Sequence, residues 1–435
     1  AFCVGIFAIA GAVSAQTLRV AAYNVDADTP SGGGPDAGPG LTTVLQAIGN
    51  AHLAGHTQPL DVLALEELYG DPTVTMGFIV DQLNGIYGPG TYAYDATPDL
   101  TNGNFLTGNG PSGLVYNTHS VQVLGATYIG TASGTGAPRA PMRYTLAPIG
   151  YNDHSADFTI YVSHAKANSG SGDNVGRRNF EAVEIRDDAA TLGANAHIIY
   201  SGDLNILSSS EAAYKTLISS TVDAGVGKAV DTLNPTNNWN TSPSLSKLYT
   251  ESADSLSARF DFQLVTSPML IQPGMQLVPN TLGAFGNNGT VSDVSDPSTT
   301  NTALADLGVS PYTPAYRTLV LNDLVNTTDH LPIVADYSFA SAVGIPGDYD
   351  HSGLVDTADY NLWKIAFGST TSLAADGNHD GTVNATDYII WRDHLGTHTP
   401  GAGAGALAAV PEPSSVLLLI LGGCLAGLVA GKLRG

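Results

Sequence analysis

The sequence predicts an α+β protein: mixed sheets with helices on their outer faces, followed by a small all-α module. Two observations lead there. Over residues 16–340, apolar runs of strand length recur, with few segments of helical spacing between them. Over residues 341–396 that pattern stops and a 28-residue repeat replaces it. Asp348, Gly353, Asp359, Tyr360, Trp363 and Gly368 recur as Asp376, Gly381, Asp387, Tyr388, Trp391 and Gly396. Of the 435 residues, 43% are hydrophobic, enough for a sizeable core, which excludes wholesale disorder.

The elements follow in order. Residues 18–23 read as a buried strand and 41–53 as a helix. A short strand at 61–65 precedes a helix at 78–86. Residues 113–116 and 121–128 read as a strand pair. A strand at 158–163 leads to a helix at 175–192, with Phe180, Val183 and Ile185 as its apolar positions. Strands at 197–201, 260–266 and 331–337 complete the set. The stretch 270–325 is rich in Gly, Asn, Ser and Thr and reads as a long insertion without assignable order.

Charge limits the function classes. The net charge is −23 and no basic run is present, so binding nucleic acid through a cationic surface is excluded. An acidic protein can still act on phosphate esters when a metal ion supplies the positive charge. The two cysteines, Cys3 and Cys424, lie in terminal apolar segments, so the body of the chain has no disulfide framework.

Both ends read as addresses. Residues 1–15 are apolar and finish Val13-Ser14-Ala15, small where a signal peptidase reads. Residues 401–435 contain a Gly/Ala linker, then Val410-Pro411-Glu412-Pro413, an uncharged apolar run over 416–431, and Lys432 and Arg434. That run is shorter than the ~20 residues of a full membrane span. The order resembles the PEP-CTERM sorting signal. The resemblance implies export, a transient membrane hold through the tail alone, and cutting by an exosortase-type enzyme.

Each repeat places oxygen donors at the spacing of a twelve-residue calcium loop. The first offers Asp348, Asp350, Ser352, the Leu354 carbonyl, Asp356 and Asp359, with Gly353 at the sharp turn. The second offers Asp376, Asn378, Asp380, the Thr382 carbonyl, Asn384 and Asp387, with Gly381 at the turn. The alternative is a pair of acidic turns, which two aligned copies disfavour. Asp at the twelfth position, one helix after each loop and the pairing resemble a type I dockerin over residues 341–400. Ca²⁺ is the ion this implies. A cohesin-like partner and a calcium-stiffened spacer stay open as its use.

In residues 16–340, six segments carry chemistry at strand ends. They are Tyr23-Asn24-Val25-Asp26, Leu65-Glu66-Glu67, Ser163-His164, Gly202-Asp203-Leu204-Asn205, Arg259-Phe260-Asp261 and Thr328-Asp329-His330. Phosphodiester hydrolysis needs a metal, an activated water and a proton for the leaving oxygen. Asn24 and Glu67 are hard donors suited to Mg²⁺ or Mn²⁺, and Asp329 is placed to approach the metal. Asp203 can take a proton from water while Asn205 holds a phosphate oxygen. His330 can donate to the phosphate, with Asp261 fixing its tautomer. His164 is a second candidate donor. Glu66 neighbours Glu67 but is not the preferred ligand, and Asp26 has no settled role. Arg177 and Arg178 either reach phosphate or form a solvated helix face. His52 and His119 read as surface or packing residues.

Together these segments, spanning about 17–338, resemble the endonuclease/exonuclease/phosphatase (deoxyribonuclease I-like) family. The resemblance implies a four-layer α/β/β/α sandwich and a metal-dependent phosphoric ester hydrolase, which the two terminal segments would make a secreted one. An extracellular nuclease is the first expectation. A phosphodiesterase or phosphatase acting on lipid or small esters, or a non-catalytic matrix or adhesion protein on the same fold, are the alternatives. Two departures stand out. No acidic residue is found to partner His164, and the stretch between Asp261 and Asp329 is long for the family.

Overall fold

The computed structural model describes residues 16–27, 37–53, 57–97, 110–149, 156–167, 173–235, 239, 242–251, 256, 258–271, 274–287, 289, 304, 313–339, 346–349, 354–370, 373–378 and 380–397. Residues 1–15 and 401–435, read from sequence as export and sorting segments, lie outside them. The chain divides into two compact units, Ala1–Ser341 and Ala342–Gly435. Among the described residues, no helix is long and apolar enough to cross a membrane.

The first unit is built on two sheets. One has the order β11 (Met275–Leu277), β13 (Ile333–Phe339), β1 (Gln16–Asn24), β2 (Leu60–Glu66), β4 (Gly113–Asn117), β3 (Tyr92–Tyr94), with β12 (Gly283–Ala284) also paired to β13. The other runs β5 (Val121–Tyr128), β6 (Met142–Pro148), β7 (Phe158–Val162), β8 (Ile198–Asp203), β10 (Asp261–Thr266), β9 (Ala229–Val230). Within each sheet one central pair is parallel, β1 with β2 and β7 with β8. The strand that closes each centre is antiparallel, β13 on β1 and β10 on β8.

Side-chain alternation makes the layers. Leu18, Val20 and Ala22 of β1 join Val62, Ala64, Met142, Tyr144, Ile160, Ile199 and Ile333 in a buried core between the sheets. Ala21 and Tyr23 face the other way, into a core with helices α1 (Leu41–Asn50), α2 (Pro72–Tyr87) and α5 (Pro314–Thr327). Behind the second sheet, α3 (Asn174–Thr191) and α4 (Ala212–Ile218) pack on Tyr161, Ile198, Tyr200 and Phe262. The result is the expected four-layer α/β/β/α sandwich. Helix starts are set locally: Asp71, Asp173 and Thr313 each cap a helix by accepting from a backbone N–H of its first turn.

Three local expectations need correction. Strands β4 and β5 exist but do not pair with each other; the turn between them carries the chain from one sheet to the other. On α3 only Ile185 of the three expected apolar residues is buried, and Phe180 and Val183 are exposed. The buried face is Ala182, Ile185 and Ala189 with Arg178, Glu181 and Arg186. Arg186 is accommodated because it donates to the carbonyls of Thr216, Leu217, Ser219, Val222 and Val226, ending the α4 region. Neither reading of Arg177 and Arg178 holds. Arg178 is buried against Glu211 and the Lys166 carbonyl, and Arg177 donates to the carbonyls of Gly136 and Ser133.

The second unit contains α6 (Thr357–Ala366) and α7 (Ala385–His394), whose sequence repeat closes on itself. Trp363 donates its indole N–H to the Asn384 carbonyl, and Trp391 donates to that of Asp356. Gly368 and Gly396 each bond the opposite repeat through Val383 and Val355. Asp359 accepts from Tyr349 and Asp356, Asp387 from Asn378 and Asn384, all through backbone N–H groups. In the second loop Asp376 also accepts from Asp380 and Gly381, whose φ of 86° suits the turn. Asp350, Ser352 and Gly353 of the first loop lie outside the described residues. Four carboxylates, of Asp348, Asp359, Asp376 and Asp387, are buried at matching positions.

Candidate active site

The topology gathers six chain ends at one edge of the sandwich. The parallel strands β1, β2, β7 and β8 finish there, and the antiparallel β10 and β13 begin there. Asn24 ends β1 opposite Glu66, and Asp203 ends β8 opposite Asp261. Just beyond the strands, Asp26, Glu67 and Asn205 take left-handed φ values of 44°, 53° and 51°. Such turns are uncommon for residues other than glycine. Gly202 has φ 120°, and a β-carbon there would sit 2.1 Å from the Ser163 carbonyl oxygen. Only glycine lets β7 and β8 end so close together.

His330 is the best-anchored member. Its Nδ1 lies 2.8 Å from Asp261 Oδ2, and its Nε2 lies 3.8 Å from Asp203 Oδ2 and 3.7 Å from Asp329 Oδ1. Burial works against the imidazolium, but Asp261, then Asp203 and Asp329, outweigh it and hold its pKa well above the ordinary value. His164 has the opposite environment. Burial, with Arg139, His330 and Lys166 adding to it, pushes its pKa well below the ordinary value. Its Nε2 lies 3.4 Å from Asp203 Oδ2 and 3.5 Å from Glu67 Oε1.

Asp203 sits between the two histidines. Burial raises its pKa well above the ordinary carboxylate range; Asp261, Glu67 and Glu251 add to this and His330 opposes it. Asn24 Nδ2 donates to Asp203 Oδ2 at 3.3 Å, while Asn24 Oδ1 accepts from the Asp26 N–H. Asn205 is fixed twice, its N–H on Asp203 Oδ1 and its Nδ2 on the Ala165 carbonyl. Beneath this layer Glu66 is fully buried, and neither carboxylate oxygen has a hydrogen-bond partner among the described residues. Burial, then Asp261 and Asp203, raise its pKa well above the ordinary range.

Among the described residues, two groups of His, Asp and Glu side chains converge closely enough to hold a cation. In each the ligand atoms lie within 4.8 Å of one another: Glu67, His164 and Asp203 in one, Glu251, Asp329 and His330 in the other. Thus Glu67 and Asp329, read together from sequence as metal donors, fall in separate groups, and Asn24 meets Asp203. Asp329 is 58% exposed at its side chain, open to an incoming molecule. Glu251 was not legible beforehand. It arrives through an isolated bridge to His330 from an irregular segment without motif or period.

No family model matches the chain, and no curated protein matches it. Solved structures similar to it include an endonuclease/exonuclease/phosphatase family protein from Bacteroides thetaiotaomicron, at 13% identity and TM-score 0.44, covering 75% of this chain and 99% of that one. Another is D. rerio TDP2 complexed with a single-strand DNA product, at 14% identity and TM-score 0.44, covering 74% and 99%. A third is a mannosyl-6-phosphatase of B. thetaiotaomicron, at 14% identity and TM-score 0.41, covering 74% and 100%.

Proposed function

We propose that the first unit is a divalent-metal-dependent phosphoesterase that cleaves phosphodiester bonds, most naturally those of extracellular nucleic acid. The observation that carries this reading is the chain Asp261–His330–Asp203–His164–Glu67. It joins a charged, carboxylate-anchored imidazole to a set of cation donors across one carboxylate.

The donor set fits a metal. In the Glu67, His164 and Asp203 group, carboxylates and an imidazole crowd into a buried place, where burial first, and then the neighbouring carboxylates, raise the Asp203 pKa. A cation held there would neutralise the phosphate and lower the pKa of a bound water. The chain's own groups do the rest. Asp261 keeps the His330 ring oriented with Nδ1–H toward itself, leaving Nε2–H for a phosphate or leaving-group oxygen. Asp203, whose Oδ1 accepts from the Asn205 N–H, would take the proton of the attacking water. Asn205, held at Ala165, has one further amide hydrogen for a phosphate oxygen. The net charge of −23 leaves the cation and His330 to draw in a polyanion.

The second unit is proposed to bind Ca²⁺ in both loops as a stiffened appendage or partner module. The chain is proposed to be exported and trimmed at its tail. The test is an assay of the protein on plasmid DNA, sphingomyelin and a chromogenic bis-phosphodiester, with Mg²⁺ or Mn²⁺ and with chelator. Hydrolysis of at least one, abolished by chelator, is expected. No turnover across a broad panel of phosphate esters overturns the proposal in favour of a matrix or adhesion role.

A further inference from the structure

We infer that one rim of the site is a subsite for single-stranded nucleic acid, in which the Tyr69 ring stacks on a base and the Lys166 ammonium meets the phosphate next to the scissile one. This rests on the phosphoesterase reading and deepens it to a substrate class.

The rim is a continuous run of contacts. Glu67 and His164 follow β2 and β7, and their side chains meet at 3.5 Å. Tyr69 stands just beyond Glu67, and Lys166 just beyond His164. Between them, the Leu68 N–H donates to the Pro111 carbonyl, and Arg139 spans from the Gly110 carbonyl at 2.7 Å to the His164 carbonyl at 3.3 Å. Asn205, the holder of a phosphate oxygen, donates to the carbonyl of Ala165, the neighbour of Lys166. Both Tyr69 and Lys166 therefore border the place of the scissile phosphate.

Tyr69 is held out on a fixed turn. Leu68 before it is fully buried, its own N–H donates to Thr75 Oγ1 at 3.2 Å, and Asp71 caps α2 just after it. The ring is 43% exposed. A ring on a fixed backbone loses little freedom when a base settles on it. Lys166 is half-buried and, among the described residues, makes no ion pair with a carboxylate. Burial first, and then the guanidiniums of Arg177, Arg139 and Arg178, disfavour its charge, and a phosphate beside it offsets them. Arg177 is committed to the carbonyls of Gly136 and Ser133, and Arg178 to Glu211 and the Lys166 carbonyl.

Charge explains why a ring is needed. At a net charge of −23 the chain has no cationic surface to hold a strand. Stacking needs no charge and tolerates any base. A double helix hides its base faces and a lipid headgroup has none, so the ring favours a single strand.

The test uses the full chain with Mg²⁺ and two single strands of equal length, octathymidylate and an abasic oligomer with the same phosphates. The wild type should favour octathymidylate in kcat/KM. Tyr69→Leu should cut that ratio about tenfold, through KM, on the scale of one stacked base, and Tyr69→Phe should keep it. Lys166→Met should flatten the rise of log KM with log salt by about 0.7, the share of one phosphate on a single strand, and Lys166→Arg should keep the slope. Thermal melts would confirm that the variants fold. A wild-type ratio near one, a ratio that survives Tyr69→Leu, or a slope unmoved in Lys166→Met overturns the inference. So does hydrolysis of sphingomyelin or a chromogenic bis-phosphodiester with neither strand cut, and the phosphoesterase reading then survives. If no phosphate ester is hydrolysed, that reading fails instead. Fluorescence anisotropy of labelled octathymidylate with Mg²⁺ then decides the subsite alone: binding that Tyr69→Leu weakens about tenfold supports it, and absent or unaltered binding overturns it.

Discussion

The protein gathers carboxylates in two places by opposite means. In the second unit every loop donor comes from one short stretch, and backbone N–H groups of the same loop hold Asp359 and Asp387. At the sandwich edge the donors come from positions as far apart as Asn24, Glu67, His164, Asp203, Asp261 and His330. They are held by strand register and by the core between the sheets. The first arrangement is made by local chain geometry, and a bound cation would settle its charge. The second is made by hydrophobic packing, which pays the electrostatic cost of crowding acids in a dry place. The loops should therefore respond to calcium in their structure, and the edge should respond to substitution in its chemistry.

Removing His330 tests the edge most severely. His330→Ala should lower the hydrolytic rate by about 10²–10⁴-fold, with a cooperative melt retained, because Asp261 keeps its backbone place in β10. Steady-state kinetics beside a thermal melt would check this. Activity within a few-fold of the parent would remove His330 from the chemistry. Asp203→Asn should be comparably severe, since an amide cannot take a proton from water.

The converse test concerns the loops. Asp387→Ala removes the carboxylate that ties Asn378 to Asn384. It should abolish the gain in helical circular dichroism on adding Ca²⁺ and lower the calcium stoichiometry by one. Hydrolysis with the catalytic metal should stay within about threefold, because the loop and edge donors belong to different compact units. A rate that falls in step with calcium binding would show the two systems to be coupled.

The smallest effect concerns pH and stability. Glu181, buried in α3 and bonded to Ser163, has its pKa raised from 4.5 to about 7, chiefly by burial. Between those values the folded chain binds a proton that the unfolded chain has released, so stability falls as pH rises from about 4.5 to about 7 and levels off above. Glu181→Gln removes this slope. At pH 8 the variant should be more stable than the parent, by up to about 3 kcal/mol, and near pH 4.5 the two should match. Denaturant titrations at both pH values would measure it. A constant difference at the two pH values would assign the effect to packing.

Much of this was legible along the chain. The strand at β1, the Gly202-Asp203-Leu204-Asn205 segment and the Asp261 and His330 segments all stand at strand ends, where the sequence motifs place them. Their legibility has a cause: a functional strand end needs an apolar run followed by a polar break, and both show in one dimension. Other features left no such mark. Phe180 and Val183 read as core because apolar residues usually are, yet α3 buries Arg178 and Arg186 instead, whose partners lie on segments distant in sequence. Strands β4 and β5 read as a hairpin because they are adjacent, and only the stacking of two sheets separates them.

By itself the sequence determined what local rules govern. These are the alternation that builds two-faced strands, the caps that begin helices, and the repeat whose donors sit within one loop's reach. The tertiary structure decided what depends on distant partners. It split Glu67 and Asp329 between two donor groups, brought Glu251 to His330, left Glu66 buried with no hydrogen-bond partner among the described residues, and turned His164 Nε2 toward Glu67 and Asp203. The reason is physical. A ligand set within twelve residues is written in chain spacing, whereas one drawn from six strand ends exists only after long-range packing has fixed which ends meet.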